Sequence, residues 1–207
     1  MRRTILIHLI IGCLVVLIGA YAAMVLQQIA AELYRDSGIA SYSPHEATLV
    51  LDDQGEIIAR LYLENRELLR IEEVPTRVKT AFIGVEDHTF YEHHGFSVRG
   101  IARAMVRNLK AGGRVVEGGS TITQQLAKVL MGDLSRGYSR YLYSFLLAIE
   151  MERRLTKDDI LEKYLNQICF GHGVYGLKAA ARYYFSKPVD QLTLLEAACL
   201  AAVPKNP

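Results

Sequence analysis

From Ile5 to Leu26 the chain runs for 22 positions without a formal charge, interrupted only by His8. At about 1.5 Å per helical residue such a run crosses a hydrocarbon core of roughly 30 Å, so it reads as one transmembrane helix. Arg2 and Arg3 precede it, which keeps the short N-terminus in the cytoplasm and places everything after Gln27 outside. A cleaved signal peptide is the competing reading. Its apolar region is shorter, about 7 to 15 residues, and ends at an Ala-x-Ala-like site, whereas Ala20-Tyr21-Ala22 sits inside a run that continues to Leu26. The chain therefore divides into a tail (1–4), an anchor (5–26), a connector (27–44) and one domain (45–207). The connector is expected to lift the domain off the bilayer and to break at Ser37-Gly38 and Ser43-Pro44.

With 207 residues, 51% hydrophobic and 22% charged, there is room for that anchor and a single cored domain, but not for two full domains. A net charge of +2 without a Lys/Arg-dense face argues against nucleic acid as a partner. Cys13, Cys169 and Cys199 are odd in number and far apart, so neither a disulfide framework nor a zinc pattern is legible.

Past the connector, Thr48–Leu51 and Glu56–Leu63 are β-rich runs joined by Asp52-Asp53-Gln54-Gly55, which predicts a short hairpin. After Pro75 the pattern is helical. Ile101, Met105 and Leu109 recur at i, i+4 and i+8 and are expected to pack into the core, with Arg103 and Arg107 on another face. Glycines at 112–113 and 118–119 bracket a loop, and Thr121-x-x-Gln124 then makes a capping box. A glycine-rich approach to a helix N-terminus offers free N–H groups to an anion, with Lys128 two turns on; the plainer reading is a helix start and nothing more. Tyr138–Arg154 reads as a long helix, Thr156-x-x-Asp159 caps the next, and Thr193-x-x-Glu196 caps a last one that Pro204 ends. Gly171-x-Gly173-x-x-Gly176 matches the dinucleotide pattern in letters. It follows a helix instead of a strand, so it is read as a tight turn.

Glu86 to Gly95, Glu-Asp-His-Thr-Phe-Tyr-Glu-His-His-Gly, crowds acids and imidazoles just after the apolar run Ala81–Val85. A continuing helix would set Glu86, Phe90 and His93 on one face until Gly95 stops it. A solvated helix end is the plainer alternative, and no His-Glu-x-x-His spacing speaks for a metal.

In this order the segments resemble the peptidoglycan glycosyltransferases, found as monofunctional enzymes and as the first catalytic domain of bifunctional penicillin-binding proteins. The resemblance runs from Thr48 to the chain end. It rests on Glu86-Asp87-x-x-Phe90-x-x-His93-x-Gly95, on Gly118-x-Ser120-Thr121-Ile122-Thr123-Gln124-Gln125, and on Ile160-Leu161-Glu162-x-Tyr164-Leu165-Asn166. It implies a mostly α fold, with a lysozyme-like lobe and a smaller membrane-facing lobe. It also implies an inverting polymerase that joins lipid-linked disaccharides into β-1,4 glycan with loss of undecaprenyl diphosphate. By the same resemblance Glu86 is the catalytic base. Asp87, Phe90, His93, Ser120, Thr121, Thr123, Gln124, Gln125, Lys128 and Arg140 bind substrate, and a divalent cation, magnesium or manganese, assists at ligands the sequence does not reveal. The implied partners are the lipid-linked precursor, the growing glycan, membrane lipid and proteins of wall synthesis or division, at a cytoplasmic membrane crossed once.

The third motif departs from the family. Its Lys position holds Tyr141 and its Glu position holds Ser144, leaving Arg140, and an activity weakened at the leaving-group end is expected. Family members also continue past Pro207, so a shortened domain is expected. Two other readings stay open: a catalytically silent scaffold that binds glycan, and a lytic glycosidase.

Overall fold

In a computed structural model of the chain, the apolar run is helical, but the helix does not stop where the run does. The structure describes residues 2–39, 44, 48–62, 64–114, 116, 118–131 and 138–205; the expectations at Ser43, Leu63 and Pro207 fall outside them. Helix α1 spans Arg2–Asp36, and within it Ile11–Asp36 is long and apolar enough to cross a membrane. Its last turns pack along α5 (Tyr138–Arg154), with Ala30 and Tyr34 buried and the Arg154 guanidinium 4.8 Å above the Tyr34 ring. The helix ends where the Ser37 hydroxyl donates to the Tyr34 carbonyl at 2.7 Å. The first part of the connector is thus seated on the domain, where the sequence predicts a spacer.

Strands β1 (Thr48–Leu51) and β2 (Ile57–Leu61) form the expected antiparallel hairpin, its turn organised by Asp52, whose carboxylate accepts from the Gln54 and Glu56 N–H groups at 2.9 and 2.7 Å. A second, parallel pair joins β3 (Asn65–Arg66) to β4 (Val174–Tyr175). Between and after them lie α2 (Thr76–Glu86), α3 (Val98–Lys110), α4 (Ile122–Leu130), α6 (Lys157–Gln167), α7 (Leu177–Phe185) and α8 (Leu194–Ala202). The Thr121, Thr156 and Thr193 capping boxes all form, because each threonine hydroxyl and each acid or amide three residues on satisfy one otherwise unpaired N–H. At the last of them, Lys187 and the Thr193 N–H hold the Glu196 carboxyl down at about 2.

The core is where α4 meets α5 and α6 and where α2 meets α8. Phe82, Leu126, Leu147, Leu161, Tyr164 and Leu200 are buried there, each of the aliphatic and Phe side chains contributing about 1.5–3 kcal/mol relative to exposure. On α6 the spacing of Ile160, Leu161, Tyr164 and Leu165 draws one buried stripe, and its polar residues act as staples. The Asn166 amide accepts from the Leu69 N–H at 3.0 Å and donates to the Leu69 carbonyl at 2.9 Å, and Glu162 accepts from Ile71 at 2.7 Å. The glycine pattern at 171–176 follows α6 and carries β4; Gly176 is at φ +80°, where an added Cβ would stand 3.0 Å from the Asn166 carbonyl oxygen. It is a turn packed on a helix end, not a phosphate loop.

Helix α3 overturns one expectation. Ile101, Met105 and Leu109 are exposed, as are Val98 and Val106, and only Gly100 and Ala104 of this helix are buried. The amphipathic period is present, but small residues make the contact with the body, so the large apolar ones are left outside.

Candidate active site

Helix α2 stops at Glu86, and Asp87 leaves it with φ −160°. Residues 88–95 are turns and bends, so Glu86, Phe90 and His93 do not share a helical face as periodicity predicts. Asp87 explains the stop. Its Oδ2 lies 2.8 Å from Nε2 of His93 and accepts from the Ile122 N–H, in the first turn of α4, at 3.1 Å. A carboxylate satisfied by an imidazole and a helix N-terminus is worth more than another turn of α2. Phe90 turns into the core, with the Lys157 ammonium 4.4 Å from its ring centre. Gly95, at φ +90°, passes so close to α5 that a Cβ would meet the Ala148 carbonyl oxygen at 3.0 Å.

The first turn of α4 is consequently not an open anion site. Asp87 takes the Ile122 N–H and the Thr121 hydroxyl takes that of Gln124, while the same hydroxyl donates to the Gly95 carbonyl at 2.7 Å. Thr123 is buried and donates to Glu152 at 2.6 Å. Phe90, Thr121 and Thr123 therefore reach any ligand only through the groups they hold.

Glu86 is oriented from behind. The Gln125 amide donates to its Oε2 at 2.8 Å, and the Tyr164 hydroxyl stands 3.4 Å from the Gln125 Oε1. Burial first, and then the charges of Glu86 and Asp87, push the Tyr164 phenol far up, so it stays a protonated donor. Glu86 and Gln125 line a cleft of about 790 Å³ that also takes in Asp87, His88, Ser120 and Lys128, with Arg103 and Arg107 contributed by α3. The Lys128 ammonium donates to the Ser120 hydroxyl at 3.0 Å and lies 5.2 Å from the centre of the Tyr141 ring. Ser144 is buried, and its hydroxyl donates back to the Tyr141 carbonyl at 2.9 Å. Arg140 lies on α5 with its side chain outside the described residues.

Three contributors escape a reading of the sequence alone. Arg103 and Arg107 stand four apart on α3, opposite its apolar residues, and the spacing was visible, but nothing in it said that this face meets the cleft. Tyr164 reads as core because it is core, and its hydroxyl is the part that matters here.

The chain as a whole has known relatives. A family model described as Transglycosylase matches residues 54–207. Penicillin-binding protein 1F of Bacillus subtilis is 50% identical over 79% of this chain and 23% of its own length. Penicillin-binding protein 1A of Aquifex aeolicus is 42% identical over 98% of this chain and 27% of its own. A crystal structure of penicillin-binding protein 1A from Haemophilus influenzae aligns with a TM-score of 0.40 at 23% identity, over 80% of this chain and 15% of that one. The chain spans about a quarter of the length of the two curated relatives.

Proposed function

Because this chain belongs to the transglycosylase family, the peptidoglycan glycosyltransferases, we propose that it extends glycan strands from a lipid-linked disaccharide precursor at the outer face of a membrane. The observation that carries the reading is the cleft itself: an oriented carboxylate, Glu86, shares it with the cations Lys128, Arg103 and Arg107. The Glu86 carboxylate removes the proton from the acceptor's 4-hydroxyl as that oxygen bonds to the anomeric carbon of the donor strand. The bond from that carbon to the diphosphate oxygen breaks on the opposite face, its electron pair leaving on the diphosphate, and the anomeric configuration inverts. The cations meet the charge that develops there. Asp87, His93, Thr121 and Thr123 fix the loop and helix that carry these groups.

Among the described residues no divalent site is built. Asp87 is committed to His93 and Ile122, Ser144 donates to a carbonyl, and among the described residues no three acid, imidazole or thiol side chains come together. A divalent cation, were one used, would have to arrive with the substrate's diphosphate and would help neutralise its charge. Helix α1 is proposed as the single anchor with its N-terminus inside, and the exposed apolar face of α3 as the surface of a smaller lobe turned toward the lipid. One observation favours a second reading, a silent glycan-binding member: the neutral Tyr141 and Ser144 on α5. Polymerisation of purified lipid-linked disaccharide by the full chain in detergent, followed by gel separation of the products, decides between the two. Glycan ladders that vanish in Glu86→Gln support the enzyme, and their absence from the wild type supports the silent member.

A further inference from the structure

The family's third motif puts an ammonium where this chain has Tyr141, and the loss looks like a defect until the ring's neighbour is considered. Tyr141 is 67% exposed, so packing does not dictate where its ring lies. The ring centre nevertheless stands 5.2 Å from the Lys128 ammonium, inside the range at which an aromatic face attracts a cation. Lys128 lines the cleft and Tyr141 does not. Another contact of that ammonium, the Ser120 hydroxyl at 3.0 Å, also belongs to the cleft wall. An ammonium on a flexible four-carbon stem needs such a support to stay in one place, and a neutral ring supplies it without competing for the anion. A second lysine at position 141 would instead oppose Lys128 across the same short gap.

We propose that Tyr141 is a positioning residue: its ring holds the Lys128 ammonium toward the cleft, where that ammonium binds the substrate's diphosphate. The inference rests on the transferase reading for the identity of the ligand, but the support of Lys128 by the ring can be measured apart from turnover. The probe is farnesyl diphosphate, a short prenyl diphosphate, titrated into the full chain in detergent, alongside the polymerisation assay. Tyr141→Leu weakens binding about 3- to 10-fold, the scale of a partly exposed cation–π contact. Tyr141→Phe, which keeps the ring and drops the hydroxyl, recovers wild-type binding to within about 2-fold. In a Lys128→Ala background Tyr141→Leu costs no more than about 1.5-fold, since the ring then has nothing to hold.

Equal damage from Phe and Leu would assign the effect to the hydroxyl, and losses that multiply in the double variant would give Tyr141 a role independent of Lys128; either result overturns the proposal. If the wild type fails to polymerise while the binding cycle behaves as described, the transferase reading falls and the positioning role stands. If it polymerises and the cycle is additive, the reverse holds.

Discussion

In the cleft wall Glu86 is held by Gln125, with the hydroxyl of buried Tyr164 beside that amide, and the adjacent Asp87 is tied to His93 and to the start of α4. Lys128, three residues beyond Gln125 on α4, rests on the Ser120 hydroxyl and on the face of an exposed ring. The first arrangement is built from buried groups of fixed direction, the second from a long side chain and a non-directional attraction. In the proposed transfer Glu86 serves the acceptor end of the reaction and Lys128 the leaving-group end, and the chemistry asked of these two ends would account for the difference. A base acts only within hydrogen-bond reach of one proton, so small errors of placement are costly. A point charge beside a diphosphate can serve several oxygens from several positions. An enzyme can therefore change the residues at the second end and keep its reaction, but not at the first.

The largest effect should come from Glu86→Gln, which keeps shape and removes the base. Polymerisation falls by about 10²- to 10⁴-fold while the melting temperature holds. Activity at the wild-type level would dissolve the contrast between the two ends. Next, Asp87→Ala strips the tie among His93, the turn and α4. Loss of a charged, buried hydrogen-bond partner costs about 1.5–3 kcal/mol per bond, seen as a lower urea midpoint together with lost activity. An unchanged midpoint would mean that the turn is held by other contacts.

A smaller effect is expected at the second end. Tyr141→Lys lowers polymerisation by about 3- to 10-fold, because Lys128 loses its ring and meets a like charge. Adding Ser144→Glu places a carboxylate three residues on, one helical turn away, and activity then rises to the wild-type level or above it. Steady-state rates for both singles and the double variant, at matched protein and with magnesium, measure this. A gain from Tyr141→Lys alone would show that the ring is a defect after all. The smallest effect belongs to Tyr164→Phe. It removes a hydroxyl at 3.4 Å from Gln125 and should reduce kcat by no more than about 5-fold with KM unchanged. A change in KM instead would mean that Gln125 contacts substrate and does more than orient Glu86.

Much of this could be read from residue types and spacing. The three capping boxes, the Asp52 hairpin turn and the helix over Tyr138–Arg154 are local, each settled by hydrogen bonds within a few residues. What periodicity missed is decided by partners distant in the chain. The helix into His93 fails because Asp87 finds Ile122, 35 residues on. The apolar stripe of α3 stays outside because the buried positions of that helix are Gly100 and Ala104, and the Ile101 side chain and Met105 point away from them. The anion site expected at the start of α4 is filled by the protein's own carboxylate, and α3 adds two cations, Arg103 and Arg107, to the Lys128 that α4 brings to the cleft. Glu86 as a cleft residue was legible from its neighbours in sequence, whereas its contacts with Gln125, and through that amide with Tyr164, were not, since the resemblance marks Gln125 as a substrate contact and Tyr164 reads as core.

Helix α1 runs unbroken from the proposed bilayer span to its seat on α5. Leu26 and the first buried contact at Ala30 are four residues apart, about 6 Å of rise, and Tyr34 is about 12 Å from Leu26. A shaft that short and stiff gives the body no tether on which to swivel: in a span tilted from the membrane normal, the angular phase of the helix sets which side of the domain looks down at the lipid. One residue inserted between Leu26 and Ala30 would turn everything beyond it by about 100° about the helix axis, relative to the span, and leave every contact within the domain intact. The anchor thus works as a keyed axle as much as an attachment, and its residue count is itself part of how the cleft is aimed.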